Sequence, residues 1–380
     1  MILGFASMRE ELTALTSDLV AIDSQSPDLV PGAPGERDVA AFVAEWLRHA
    51  GLDVEVEEAA PGRPNVIGTA RGSGTGRTLM LNAHMDTVAL GAMERPLEPR
   101  VEGDRLYGRG SYDMKASLAA IMVAAREAAR GGLAGDVVVT AVTDEECASV
   151  GTEAVARTVR ADAAIVAEPT ELAVAVAHRG FVSWELEARG RAAHGSRPDL
   201  GVDAIVHMGH VLAGTGNLDR RLRARDAHPL IGTASVHAGT IEGGEGFSTY
   251  PSSCLVRGER RTLPGETSET ARTELEAILV AAREAVPEIQ VDIRIGVSRG
   301  PFSVDPSETI VELVRRHAGG ADLVGVPFWT DAALLEAAGI PTVVFGPAGE
   351  GAHADVEWVD LPSVERVAET LVAVMREFCS

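Results

Sequence analysis

Two histidines and a group of carboxylates carry the chemistry open to this chain. His84 follows the apolar run Leu79-Met80-Leu81 and stands two residues before Asp86. Asp113 comes after Gly108-Arg109-Gly110-Ser111-Tyr112. Downstream lie Asp144-Glu145-Glu146, then Glu168 before Pro169, and finally His353. His84, Asp113, Glu146, Glu168 and His353 offer imidazole and carboxylate donors, too many for one tetrahedral zinc. They suit two divalent ions sharing a carboxylate, with the central Asp113 as bridge and one His and one further carboxylate for each ion. Such ions lie roughly 3.5–4 Å apart, activate a water and polarise a carbonyl. Imidazole without thiolate favours zinc, with cobalt or manganese able to substitute. Glu145, beside Glu146, is placed to take the proton of the activated water and pass it to a leaving amine. Asp86, on the same face of an extended chain as His84, is expected to accept the second ring N–H of a ligating His and fix its tautomer.

Taken singly, each residue has a commoner use. A histidine at a strand end is usually a hydrogen-bonded structural residue, Asp113 reads as a helix cap, and Glu145-Glu146 as a match to a helix dipole. Their convergence is what points to a metal centre. Open α/β sheets bind ligands at the carboxyl ends of their strands. The strands predicted over 78–83, 136–142 and 163–167 end at His84, Glu145-Glu146 and Glu168, and the strand over 341–345 runs into the loop carrying His353. Asp113 precedes a helix predicted over 115–130. By contrast, His207 and His210 share a helix face with no third donor nearby, and read as packing or surface residues.

Around these positions, helices are predicted over 10–22, 37–50 and 153–159, and strands over 53–57 and 65–69. In 37–50, Val39, Phe42, Val43, Trp46, Leu47 and Ala50 recur at helical spacing, and Gly51 suits the C-terminal stop. Strands alternating with helices imply an α/β class, a mostly parallel mixed sheet flanked by helices. Near 178 the style changes. Strands over 181–188, 234–240, 253–261 and 289–297, with helices over 203–213 and 266–285, describe an α+β unit of its own. In 289–297, Ile289, Val291, Ile293, Ile295 and Val297 fall on one side. Helices over 307–318, 331–338 and 362–378 restore the first style. The expected organisation is a discontinuous metal-binding domain, 1–177 and 300–380, with an insert at 178–299.

Composition sets bounds. A chain of 380 residues suits two domains. Hydrophobic residues are 46 % but aromatics only 4 %, so the cores must be aliphatic, as in α/β layers. A formal charge of −22 argues against nucleic acid, which needs a basic face. No Lys/Arg cluster offers a membrane patch, and no apolar run approaches spanning length. Cys147, Cys254 and Cys379 are too few, and odd in number, for a disulfide framework, so a cytoplasmic location is expected. Residues 1–10 lack the basic segment and apolar core of a signal peptide.

The motifs together resemble the dizinc aminoacylase/carboxypeptidase family of metallopeptidases, which includes acetylornithine deacetylase, succinyl-diaminopimelate desuccinylase, aminoacylase and glutamate carboxypeptidase. The resemblance runs through His84-Met85-Asp86, Gly108-Arg109-Gly110 with Asp113-Met114-Lys115, Thr143-Asp144-Glu145-Glu146, Glu168-Pro169-Thr170, and Gly346-Pro347 with His353. It implies a metal-dependent hydrolase that cleaves the amide bond of an N-acyl amino acid. Dipeptidase or carboxypeptidase action on small peptides is the alternative, and a non-catalytic amino-acid or peptide binder a further one. It also makes the insert a lid and dimerisation domain of a homodimer. Ala193-His194-Gly195-Ser196 resembles the segment whose His reaches the partner's site to stabilise the oxyanion. Arg261-Thr262-Leu263-Pro264-Gly265 resembles the motif whose Arg pairs with a substrate carboxylate, a geometry suited to a guanidinium fork. Two departures stand out. Ser248, in Ser248-Thr249-Tyr250-Pro251 after Gly243-Gly244, replaces a substrate-holding Asn. Arg260 stands where Asp is common, and this added cation is expected to favour an acidic substrate.

Overall fold

Aliphatic strands form the centre of the larger part of the chain. The computed structural model describes residues 7–380, so the reading of residues 1–10 rests in part on residues 1–6, which lie outside the described residues. Leu79–His84 and Val137–Val142 are buried at every position, as strands covered on both faces must be. Leu79–His84 pairs in parallel with Val137–Val142 on one side and Ala163–Val166 on the other, and Thr342–Val344 extends the parallel set. Antiparallel pairs flank these four: Arg63–Ala70 against Val137–Val142, Asp53–Ala60 beyond it, and Val174–His178 against Thr342–Val344. Helix Ala116–Ala129 packs on the two central strands and on helices Met8–Val20 and Leu361–Phe378. The class is the expected one, a mixed α/β sheet with a parallel middle. Parallel strands deliver their carboxyl ends to one edge, which is what gathers the residues following them.

The chain divides into two compact units, one formed by residues up to Val176 with Val304–Val324 and Thr330–Ser380, the other by Ala177–Ser303 with Gly325–Trp329. The second unit holds an antiparallel sheet in the order Ser235–Gly243, Ser253–Thr262, Gly180–Arg189, Gln290–Arg299. Helices Ala204–Arg223 and Ser268–Ala285 pack on it around Trp184, Leu186, Met208, Val256 and Leu275. Two expectations fail here. The first helix does not end near 213 but continues to Arg223. Gly214, just past the expected end, packs against Ile278, where an added Cβ would come within 2.4 Å, and Leu218 and Leu222 beyond it are buried. Contact, not propensity, decides the length. In the last strand a bulge between Ile295 and Ser298 breaks the alternation, and Val297 is exposed.

A second small sheet in the first unit was not anticipated. Its order is Gly349–Glu350, Trp358–Asp360, Arg105–Tyr107, Arg100–Glu102. Strands of two or three residues have no period to detect. Pairing of Trp358 with Tyr107 places the start of the loop leading to Asp113 beside the end of the loop holding His353.

Candidate metal centre

The central strands deliver the donors. His84 is the last residue of its strand, Glu145 and Glu146 follow Val137–Val142, and Glu168 follows Ala163–Val166. Asp113 lies on a wide turn, Ser111–Lys115, at φ −119° and ψ 95°, ahead of helix Ala116–Ala129, and its peptide bond to Met114 is cis. Asp113 Oδ1 is 3.1 Å from His84 Nε2, and Glu168 Oε1 is 3.7 Å from the same nitrogen. Asp113 Oδ2 is 3.4 Å from His353 Nε2, which is 2.9 Å from Glu146 Oε2. The two oxygens of one carboxylate thus face two different imidazole–carboxylate pairs. Donor atoms of His84, Glu145 and Glu168 lie within 4.8 Å of one another, and so do those of His84, Asp113 and Glu146. All five residues nominated as ligands meet in one place, with Glu145 among them.

The donor set fits divalent cations. Asp86, Asp113, Glu145, Glu146 and Glu168 crowd two imidazoles, and among the described residues no lysine or arginine ion-pairs with any of the five. Buried like charges need compensation, and without metal the site finds it in protons. Hydrogen bonds to Asp113 and then Glu146 push the His353 imidazole up to about 10. His84 rises well above its ordinary value: burial opposes the charge, but the hydrogen bond to Asp113 and the charge of Glu168 win. Burial, then neighbouring carboxylates, also raises Glu145 and Glu168. A metal ligand must be deprotonated. Metal loading at pH 7 is therefore expected to release more than one proton per chain. Because His353 stays protonated up to about pH 10 without metal, apparent affinity should fall steadily as pH drops through the neutral range. Calorimetric titration in buffers of differing ionisation enthalpy measures the protons released, and a buffer-independent heat would contradict this assignment.

Asp86 works differently from the expectation. The acceptor within hydrogen-bond distance of His84 Nδ1 is the backbone carbonyl of Asp86, at 3.0 Å, while its carboxylate Oδ1 is 3.7 Å away. The carboxylate instead accepts the backbone N–H groups of Glu145 and Glu146, each at 3.1 Å. One residue thus holds the His84 ring with its main chain and the turn carrying Glu145 and Glu146 with its side chain.

Beneath that turn lies a charge network that the sequence did not suggest. Asp144 has φ 68°, a left-handed conformation that turns the chain out of the strand. Arg63, nearly buried, donates to Glu36 through Nε at 2.8 Å and Nη2 at 2.6 Å, and to Asp144 Oδ1 at 2.9 Å, and also pairs with Asp28. Glu36 Oε1 further accepts the Asp144 backbone N–H at 3.3 Å. Removing the cation leaves buried carboxylates uncompensated, a loss typically of about 3–5 kcal/mol. Arg63→Met is expected to lower the unfolding free energy by about that much in urea titration; less than about 1 kcal/mol would mean the network is incidental. Arg63 precedes Pro64 in a strand rich in small and aliphatic residues, and a lone arginine there is a weak signal of a buried partner. Arg109, set between two glycines, is a similar one: a Cβ at Gly108 would come within 2.5 Å of Val20, so the loop is tightly enclosed. Its partner, Glu357, was missed.

In the second unit, His194 is exposed and its Nδ1 lies 2.8 Å from Ser196 Oγ. Ser248 is exposed on the adjoining segment, its carbonyl accepting the Gly195 N–H at 2.7 Å. Arg261 donates to Glu259 Oε1 at 2.7 Å and lies over the Phe181 ring. Arg260 overturns its reading as an added substrate cation. It is 1 % exposed and held by Glu266 at 2.8 Å and Glu274 at 3.0 Å, so its charge is neutralised inside the unit. Sheet alternation explains this: neighbours in a strand face opposite sides.

A family model described as Peptidase family M20/M25/M40 matches residues 80–377, a span that includes every residue of the centre. The chain belongs to peptidase family M20/M25/M40. It is a metallopeptidase-type hydrolase. Solved structures share the fold across almost the whole chain at low identity. A tripeptidase from Staphylococcus aureus matches at 20 % identity with TM-score 0.81, covering 98 % of each chain. A family M20 metallo-carboxypeptidase from Sulfolobus solfataricus matches at 16 % with TM-score 0.80, covering 97 % of this chain and 99 % of that one. A Bacillus subtilis protein described as a dinuclear metal-binding peptidase of the M20 family matches at 16 % with TM-score 0.74, again covering 97 % and 99 %. Among the described residues no helix is long and apolar enough to cross a membrane.

Proposed function

We propose that this family member is a two-metal hydrolase that cleaves the amide bond of an N-acyl amino acid. The observation that carries the reading is the double-facing Asp113 carboxylate, with His84 and Glu168 on one side and His353 and Glu146 on the other. Two divalent ions, most naturally zinc for this donor set, would supply water activation and carbonyl polarisation when bound. The protein does the rest. Glu145, next to the ligand Glu146 and tethered through its N–H to Asp86, accepts the proton of the attacking water and delivers it to the departing amine. His84, buried and fixed by the Asp86 carbonyl, keeps Nε2 directed at the site. In a homodimer formed through the second unit, the partner subunit's His194 would donate to the oxyanion. Arg261 would take a substrate carboxylate, with Ser248 beside the substrate.

A second reading, cleavage of short peptides, is favoured by the relatives described as tripeptidase and carboxypeptidase. The same water and base serve either carbonyl, so only substrates separate the two. Purified zinc-loaded protein should be offered acetylornithine, succinyl-diaminopimelate, acetyl amino acids, dipeptides and tripeptides. Highest kcat/KM on an acylated amino acid supports the first reading, and turnover confined to peptides with a free amino terminus replaces it with the second. No turnover of any member would remove both.

A further inference from the structure

Glu357 collects more hydrogen bonds than any carboxylate of the metal centre, yet it is not placed to be a ligand. It is 1 % exposed. Its Oε1 accepts the backbone N–H groups of Tyr112 at 2.9 Å and Asp113 at 3.1 Å. Its Oε2 accepts the Gly110 N–H at 3.0 Å and Arg109 Nη1 at 2.8 Å. The Glu357 carbonyl takes the Gly108 N–H at 3.2 Å. Arg109 completes the link by donating through Nη2 to the Ala354 carbonyl at 2.9 Å. The loop presenting Asp113 is therefore fastened to the loop presenting His353, which is half-exposed and lies at φ 63° between Gly349–Glu350 and Trp358–Asp360. His84, Glu146 and Glu168 follow strands of the main sheet, and the turn of Glu146 is held separately by the Asp86 carboxylate.

We propose that Glu357, clasped by Arg109, is a positioning residue that sets Asp113 against His353 and thereby controls the affinity of one of the two ions, the one held by His353 and Glu146. The inference rests on the two-ion reading of the centre. It goes beyond that reading by making the two ions unequal in their dependence on a residue that touches neither. Glutamine tests it sharply. Both oxygens of Glu357 accept, so either orientation of a glutamine amide sets its NH₂ against two N–H donors.

Metal content after dialysis in zinc buffers, and affinities from competition with a chromophoric chelator, should be measured for wild type, Glu357→Gln and Arg109→Lys. Wild type should bind two ions. Glu357→Gln should weaken the ion held by His353 and Glu146 about 10–100-fold, the range typical of groups that orient metal ligands, and the other, whose His84 and Glu168 follow strands, by a clearly smaller factor. Arg109→Lys keeps the charge but cannot reach both Glu357 and Ala354, so it should weaken the same ion by a smaller factor. If Glu357→Gln does not fold by circular dichroism, the split in Arg109→Lys decides alone. Two ions bound at wild-type affinity, or both weakened equally, would overturn the clasp while leaving the two-ion reading intact. A wild-type chain that takes up no metal would overturn both.

Discussion

Glu145→Gln is expected to lower kcat by about 10²–10⁴-fold, the usual worth of a positioned general base, while the metal content stays unchanged. The side chain keeps its shape, and the Glu145 backbone N–H still reaches Asp86, so the turn that also presents Glu146 is preserved. What disappears is the capacity to hold a proton between water and leaving amine. Glu145 and Glu168 approach the same imidazole, but the two differ in position: Glu168 follows its own strand, whereas Glu145 shares a turn with Glu146, which lies beside His353. Steady-state rates on the best substrate, with metal analysis of the same preparation, check this directly. Normal turnover would transfer the base role elsewhere, and lost metal would make Glu145 a ligand.

The second large effect concerns Asp113→Asn. Hydrogen bonds from His353 and His84 outweigh burial and hold the Asp113 carboxyl well below the usual range, so it meets any incoming cation ionised. Asparagine keeps the outline but gives up the charge and offers one of the two flanking pairs an amide N–H₂ where it now meets an oxygen. Outer groups that merely orient ligands are worth 10–100-fold in affinity. A residue facing both positions should exceed that, and metal retention should fall by more than about 100-fold, with activity at background. Equilibrium dialysis against zinc buffers measures it. Retention of both ions would remove Asp113 as the shared ligand.

The convergence of these donors was legible because most of them follow strands. Leu79-Met80-Leu81 before His84, Val137–Val142 before Glu146 and Ala163–Val166 before Glu168 are aliphatic runs with an obvious end, and a parallel sheet turns that pattern into proximity. Less was legible where long-range contact decides. Gly214 stands just past the expected helix end, and only the packing of Ile278 against it shows why the helix continues. Arg260 resembles a free cation until Glu266 and Glu274 are seen to enclose it. The small sheet joining Arg105–Tyr107 to Trp358–Asp360 spans some 250 residues of sequence with strands too short to announce themselves. Glu36, Arg63 and Glu357 share that difficulty: each is an ordinary charged residue until its partner arrives from a distant segment.

The proposed chemistry requires two cations flanking one carboxylate, that of Asp113. Crystals of zinc-loaded protein, with diffraction data collected on either side of the zinc absorption edge, test that claim most directly. Two anomalous peaks roughly 3.5–4 Å apart, one between Asp113, His84 and Glu168 and the other between Asp113, His353 and Glu146, are the predicted result. A single peak that leaves His353 uncoordinated, or no peak at Asp113, would contradict it.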